Sequence, residues 1–81
     1  LNKAVNKQFI NDIKNQLQII HSNRIVINDI KYGNVIIENE TKRPYLIDFD
    51  YAKYYPHINQ RIFNSLCVKD WYLFNLHFGN N

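Results

Sequence analysis

The chain has few of the features that mark secreted or membrane-inserted proteins. Its 81 residues include one cysteine, Cys67, so no internal disulfide can form, which fits a reducing, cytoplasmic location. No apolar run approaches the ~20 residues of a transmembrane helix, and no signal-peptide pattern is present. Internal repeats and low-complexity tracts are also absent. We therefore expect a protein without a disulfide or a membrane span.

The charge is also modest. The formal net charge is +3, and the Lys and Arg residues are dispersed along the chain. A basic stripe of the kind that binds nucleic acid is therefore poorly supported, and we expect no nucleic-acid partner. His57 and His77 have no metal-ligating neighbours at a useful spacing.

The length allows at most one small domain, because a chain this short buries only ~60% of its unfolded surface. The chain begins with Leu1 rather than Met and ends at Asn80-Asn81 in mid-pattern. We therefore expect residues 1–81 to be a piece of a longer protein.

Apolar spacing predicts an α-helix at the start of the chain. Residues at spacings of four, four, four and three form one helical face from about Asn2 to His21, and Ser22-Asn23 is a stop signal. The members of this face are Val5, Phe9, Ile13, Leu17 and Ile20.

Two short apolar runs then predict a β-hairpin. Ile25–Ile27 is typical of a brief extended segment, and the strands 35–37 and 45–47 flank a charged turn of about five residues. Pro56 excludes a continuous helix through residues 51–60. From Arg61 onward, apolar residues indicate one or two helices, with Gly79 as a stop. The predicted class is α+β: a long helix, a polar loop, a hairpin and one or two further helices.

Four polar residues around the hairpin carry the chemistry. Asp29, Lys31 and Asn34 lie within six residues, and Asp48 follows the second strand. Phosphoryl transfer needs these groups: a carboxylate to take a hydroxyl proton, a cation for the phosphate, and two oxygen ligands for Mg²⁺. Asp29 and Lys31 are the candidate catalytic residues. Lys31 would contact phosphate, and Asn34 and Asp48 would bind the metal.

The hairpin register decides whether the two metal ligands meet. If the hairpin is symmetric about Thr41, Val35 faces Ile47 and Asn34 faces Asp48. Directly opposed residues have Cβ atoms ~5 Å apart, so the amide and the carboxylate would converge at the open end of the hairpin. On these residues alone, an ordinary surface turn remains open, with Asp29 as a cap and Asn34 as a turn residue.

The ordered string from Ile19 to Ile37 resembles the catalytic-loop region of the eukaryotic-type protein kinase superfamily. That pattern is a helix ending in Leu-His, then Ile-Val, His-Arg-Asp, x-Lys-x-x-Asn and an apolar strand. Residues 45–50, Tyr-Leu-Ile-Asp-Phe-Asp, resemble the following strand and the Asp-Phe-Gly motif, nineteen residues after Asp29. The resemblance covers residues 2–55 well and the remainder loosely.

The resemblance implies an ATP- and Mg²⁺-dependent phosphotransferase built on a partial kinase C-terminal lobe. Asp29 becomes the catalytic base, Lys31 contacts the transferred phosphate, and Asn34 and Asp48 become the Mg²⁺ ligands. A Lys two positions after the Asp resembles Ser/Thr-directed kinases. Asp70 lies where the family has a buried Asp that binds catalytic-loop amides, although the residues also allow an ordinary N-cap.

The chain also departs from the family pattern. Ile27 replaces the usual His, and Asn28 replaces the Arg that would pair with an activation-loop phosphate. Asp50 replaces the usual Gly, which resembles bacterial effector kinases and lipopolysaccharide-core sugar kinases. No Gly-rich loop is present, so the nucleotide-clamping lobe is absent from residues 1–81, and we expect this piece alone to be inactive.

Three functions therefore stay open. The first is a Ser/Thr protein kinase, with ATP and a protein hydroxyl as partners. The second keeps the chemistry and changes the acceptor to a sugar or lipid hydroxyl, such as that of a glycan or a lipopolysaccharide. The third is a catalytically inactive kinase-like binding module.

Overall fold

The computed structural model describes the backbone of residues 3–79 and the side chains of residues 7–79. The predicted helix start at Asn2 and the side chain of Val5 lie outside that range. The α+β class is confirmed. The elements are α1 (Lys3–Ser22), β1 (Ile25–Val26), a 3₁₀ turn (Tyr32–Asn34), β2 (Val35–Ile37), β3 (Pro44–Leu46), β4 (Lys53–Tyr54), α2 (Gln60–Phe74) and a π-helix (Asn75–Gly79).

The helix α1 buries the apolar face that its spacing predicts. Ile13 and Leu17 are fully buried, and Phe9, Ile10 and Ile20 pack at the edges of the same cluster. The core facing α1 comes from the loop, the hairpin and the C-terminal helix. Its other buried members are Ile27, Ile30, Leu46, Phe74 and Phe78.

The helix α2 is one continuous element that begins at a polar cap. The side chain of Asn59 accepts a hydrogen bond from the backbone N–H of Ile62, which satisfies one of the unpaired donors of the first turn. Four residues at spacings of four, three and four are buried along it: Phe63, Cys67, Asp70 and Phe74. The chain then continues as a π-helix that buries Phe78.

The β-hairpin register differs from the prediction by one residue. The observed pairs are Val35 with Leu46, Ile36 with Tyr45 and Ile37 with Pro44, so Val35 does not face Ile47. The cause is the turn, which closes over four residues rather than about five. The Glu38 N–H donates to the carbonyl of Arg43, and the Lys42 N–H donates to the carbonyl of Glu38.

Local side-chain chemistry selects this tighter turn. Lys42 has φ 62°, a left-handed backbone conformation that tightens the return of the chain. The Glu38 carboxylate accepts from both the backbone N–H and the hydroxyl of Thr41. The Thr41 hydroxyl in particular lowers the pKa of Glu38. Because a one-residue slip changes every opposed pair, Asn34 no longer lies opposite Asp48.

A second, two-stranded sheet was not predicted. β1 pairs antiparallel with β4, with Ile25 opposite Tyr54 and Val26 opposite Lys53. This pairing attaches the segment after Asp48 to the chain just before Asp29. A short strand inside the irregular residues 51–60 gives little sequence signal, because only two residues pair.

Gln16, on α1, forms two hydrogen bonds with the backbone of the hairpin. Its Nε2 donates to the carbonyl of Pro44 at 2.7 Å, and its Oε1 accepts from the N–H of Leu46 at 2.9 Å. One side-chain amide thus pairs with two backbone groups on the free edge of β3. This edge would otherwise leave a donor and an acceptor without protein partners.

We expect Gln16→Ala to lower the free energy of unfolding by about 1–3 kcal/mol, because two part-buried backbone groups lose their partner. Urea unfolding of the complete protein measures this value. Gln18→Ala, an exposed change on the same helix, is the matched control and should cost less than ~0.5 kcal/mol. Equal losses of unfolding free energy in Gln16→Ala and Gln18→Ala would contradict the stabilisation of the hairpin by Gln16.

Among residues 3–79, neither helix combines the length and the apolar content that a membrane crossing requires.

Candidate functional site

Asp29, Lys31 and Asn34 come together on one loop. The Asn34 Nδ2 donates to the Asp29 Oδ2 at 3.0 Å and to the Asp29 carbonyl at 2.7 Å. The Lys31 Nζ lies 3.7 Å from the same Oδ2. The 3₁₀ turn at Tyr32–Asn34 folds the amide back over the carboxylate, and Asn34 is buried.

These contacts leave specific oxygens available for a ligand. Both Asn34 and Lys31 contact the Oδ2 of Asp29, and the Oδ1 makes no hydrogen bond with any of the described residues. The nitrogen of the Asn34 amide faces Asp29, so the amide oxygen is the end that a cation would bind. The Asp29 side chain is 25% exposed and that of Lys31 is 53% exposed, so both can be reached by substrate.

Asp48 follows the hairpin, and among the described residues its carboxylate makes no hydrogen bond or ion pair with Asp29, Lys31 or Asn34. The Ile47 N–H donates to the carbonyl of Asn34 at 2.9 Å, which extends the ladder by one pair and places Asp48 next in the chain. Asp48 has φ 68°, so strand alternation ends at this residue. Its carboxylate is exposed and accepts the N–H of Asp50 at 3.3 Å.

The donor set fits Mg²⁺ in its chemistry. Amide and carboxylate oxygens are hard ligands, and Mg²⁺ often takes one or two carboxylates and completes its shell with water and phosphate. Among the side chains that the structure describes, no three His, Cys, Asp or Glu residues gather as a metal cluster. A site formed by Asn34 and Asp48 has only one residue of these four types, so it would not be a cluster of that kind.

The backbone is left-handed on both sides of this site. Of the residues described, Asn28 (φ 70°) precedes Asp29, and Asp48 is itself at φ 68°. Asn and Asp occupy this region more readily than other non-glycine residues. The other two described residues with positive φ, Arg24 and Lys42, lie outside this site.

Asp70, on α2, binds the backbone that leads into the loop containing Asp29. It is fully buried, and its carboxylate accepts the N–H groups of Ile27 and Asn28, each at 2.8 Å. The His21 Nε2 lies 2.8 Å from the same carboxylate. Asp70 lies inside α2, whose cap is Asn59, so the N-cap interpretation is wrong and loop-amide binding is what the structure has.

His21 is a partner that sequence reasoning missed. Its ring meets the rings of Phe63 and Trp71 edge to face. It also hydrogen bonds Asp70, forty-nine residues further along the chain. A polar residue within an apolar helical pattern, such as Asp70, was the signal for a buried network, but nothing in the sequence identified its partner.

Cys67 belongs to the core rather than to a reactive site. It packs with Val26 and Phe63, and burial raises the pKa of its thiol, with a further contribution from the charge of Asp70. A raised pKa keeps the thiol protonated and unreactive at neutral pH. Cys67 lines a cavity of about 320 Å³ between α1 and α2, and none of the four candidate residues borders it.

The family relationship agrees with this geometry. The family model of the protein kinase domain matches residues 1–75, which include the loop, the hairpin and the whole of α2. The match extends past residue 55, where the resemblance became loose, and it includes Asp70. The chain belongs to the protein kinase domain family.

Proposed function

We propose that this chain carries the phosphoryl-transfer residues of a kinase that moves the γ-phosphate of ATP to a hydroxyl group, with a protein Ser or Thr as acceptor. Family membership supports kinase-type phosphotransfer in general. The observation that carries the specific proposal is the contact of Asn34 and Lys31 with one oxygen of Asp29.

Each residue has a defined task in the transfer. The acceptor hydroxyl oxygen bonds to the γ-phosphorus, the bond from that phosphorus to the β–γ bridging oxygen breaks, and ADP leaves. The hydroxyl proton passes to the Oδ1 of Asp29, which the Asn34 amide orients through Oδ2. The Lys31 ammonium lies where it can offset the charge on the transferred group.

Asn34 and Asp48 would hold Mg²⁺ through their side-chain oxygens. When bound, the ion supplies positive charge to the phosphate oxygens of ATP, which is several kcal/mol of stabilisation in such reactions. Asp48 is exposed, and the backbone N–H of Ile47, the residue before it, donates a hydrogen bond to the carbonyl of Asn34. Asn34 and Asp48 therefore lie at the same end of the hairpin.

The test is transfer of ³²P from γ-labelled ATP by the complete protein, with Mg²⁺ or with EDTA. We expect label on protein Ser and Thr only with Mg²⁺, and a loss of about 100-fold or more in Asp48→Ala. Asp50→Ala removes an exposed carboxylate two residues away and should stay within ~3-fold of wild type. Equal activity of wild type and Asp48→Ala would overturn the assignment.

A sugar hydroxyl is the second candidate acceptor. The connection between Asp48 and α2 is short, because only residues 49–59 separate them. Asp50, within this connection, is exposed. A short segment offers little surface on which a peptide can dock. Label that enters glycan and leaves protein Ser and Thr unlabelled would favour this acceptor.

An inactive binding module is the remaining alternative. It predicts that the complete protein transfers no label to any acceptor and binds no Mg·ATP in a calorimetric titration. The four candidate residues are all retained, which favours the enzyme.

A further inference from the structure

Tyr32 follows Lys31 in the loop that carries the candidate catalytic residues. It begins the 3₁₀ turn, and its carbonyl accepts the backbone N–H of Val35. In the same turn, the N–H of Asn34 donates to the carbonyl of Lys31 at 3.0 Å. This turn brings the Asn34 amide to the Asp29 carboxylate, so its conformation decides whether the two side chains meet.

The ring of Tyr32 packs against the π-helix that follows α2. The Tyr32 and Phe78 ring centroids lie 4.8 Å apart, with an angle of 68° between the rings. The Tyr32 and His77 ring centroids lie 5.8 Å apart, with an angle of 80°. Both pairs have the edge-to-face geometry that aromatic rings prefer. Two consecutive residues of the π-helix thus contact one ring of the loop.

Phe78 is itself held in the main core. Its side chain is buried, and it belongs to the same apolar cluster as Ile30 and Phe74. The Phe78 ring centroid lies 6.1 Å from that of Phe74, four residues earlier in the chain. Because close-packed side chains in a core have little room to move, Phe78 gives the Tyr32 ring a fixed surface.

The second helical region therefore contacts the loop on both sides of Asp29. Asp70 accepts two backbone N–H groups that precede Asp29, and Phe78 meets the Tyr32 ring that follows it. The first contact acts on the backbone that enters the loop. The second acts on the turn that carries Asn34.

We propose that Tyr32 is a positioning residue, whose ring, packed against Phe78 and His77, holds the 3₁₀ turn so that the Asn34 amide contacts Asp29. The proposal concerns the site described above and rests on the proposed function. Tyr32 then acts on phosphotransfer through Asn34. The Tyr32 side chain is 66% exposed, so direct contact of its ring with the acceptor is the alternative that the experiment separates.

The first measurement is hydrogen–deuterium exchange on the complete protein, read at the N–H groups of Asn34 and Val35, which close the turn. We expect Tyr32→Ala to speed their exchange about 10-fold, because loss of the ring contacts makes local opening easier. Tyr32→Phe keeps the ring and should stay within ~2-fold of wild type. Unchanged exchange in Tyr32→Ala, or exchange as fast in Tyr32→Phe as in Tyr32→Ala, would overturn the proposal.

Tyr72→Ala is the matched control for these variants. Tyr72 lies on α2 and is 63% exposed, which is close to the exposure of Tyr32. Its removal should leave the exchange of the Asn34 and Val35 N–H groups within ~2-fold of wild type. The proposal also requires the effect of Tyr32→Ala to be confined to residues 31–35. Faster exchange throughout the protein would show a merely structural role and overturn it.

A double-mutant cycle tests whether Phe78 is the partner. Phe78→Leu keeps an apolar side chain and removes the ring. Because the two rings act on each other, the double variant with Tyr32→Ala should speed exchange far less than the product of the two single effects. If Phe78→Leu has no cooperative thermal transition, His77→Ala takes its place, because His77 is only half-buried. Single effects that multiply fully would overturn the pairing.

Phosphotransfer by the complete protein separates positioning from acceptor binding. At saturating Mg·ATP, we expect Tyr32→Ala to lower kcat about 10-fold with little change in KM for the acceptor, and Tyr32→Phe to keep wild-type kcat. A raised KM with wild-type kcat would assign the ring to the acceptor and overturn the proposal. Wild type without Mg²⁺-dependent transfer would sink the proposed function, and the exchange measurements would still decide whether Tyr32 holds the turn.

Discussion

Asp29→Asn is expected to slow phosphotransfer by about 10²–10⁴-fold, the range that a positioned proton acceptor contributes. Asparagine has the same volume as aspartate, and its oxygen can still accept from the Nδ2 of Asn34. It carries no negative charge and cannot take a proton at neutral pH. The loss should therefore appear in the chemical step, with the loop conformation retained.

The measurement is kcat for the complete protein at saturating Mg·ATP. Asp12→Asn is the matched control, because this α1 carboxylate contacts Gln8 on the surface. We expect the control to keep wild-type kcat and both variants to unfold at the wild-type temperature. Wild-type turnover by Asp29→Asn would contradict the assignment of the base.

Asp70→Ala is expected to lower the free energy of unfolding by about 2–6 kcal/mol, the range for two backbone N–H groups that lose their acceptor. The fully buried carboxylate accepts two backbone N–H groups and contacts His21. Alanine would leave the buried N–H of Ile27 and the part-buried N–H of Asn28 without a partner. Such groups cost ~1–3 kcal/mol each.

Urea unfolding of the complete protein measures this loss. Asp70→Asn should cost less than alanine, because its remaining oxygen can still accept one of the two backbone N–H groups. Asp12→Ala makes the same chemical change at the surface and should cost less than ~1 kcal/mol. If the buried and surface substitutions cost the same, Asp70 does not hold the loop.

Local patterns predicted the helices well because the relevant information lies within a few residues. The spacing of Ile13 and Leu17 sets the buried face of α1, and the observed helix ends one residue beyond the predicted His21. The order of helix, loop, hairpin and helix is therefore readable from the sequence.

The hairpin register was not readable, because it depends on a turn whose geometry is set by a few weak contacts. Left-handed Lys42 and the Glu38 contacts with Thr41 close the turn over four residues. Either turn length suits the same apolar strands. The predicted pairing of Asn34 with Asp48 failed for this reason, although both residues still lie at the same end of the hairpin.

Long-range polar contacts explain what else was missed. Arg24 has no periodicity or motif that predicts its contacts with residues more than thirty positions away. Asp70 interrupts an apolar helical pattern, but only the family resemblance supplied its role in binding the loop amides. Contacts of this kind depend on how elements pack, which a single sequence does not encode in any local pattern.

A double-mutant cycle for Mg·ATP affinity tests whether Asn34 and Asp48 share one Mg²⁺ ion. The affinity is measured by titration calorimetry on the complete protein. We expect binding that needs Mg²⁺, and a loss of about 10-fold or more in Asn34→Ala and in Asp48→Ala. Because both substitutions remove ligands of one ion, the double variant should lose far less than the product of the two single losses. Losses that multiply fully, or ATP binding of equal strength in EDTA, would contradict the shared site.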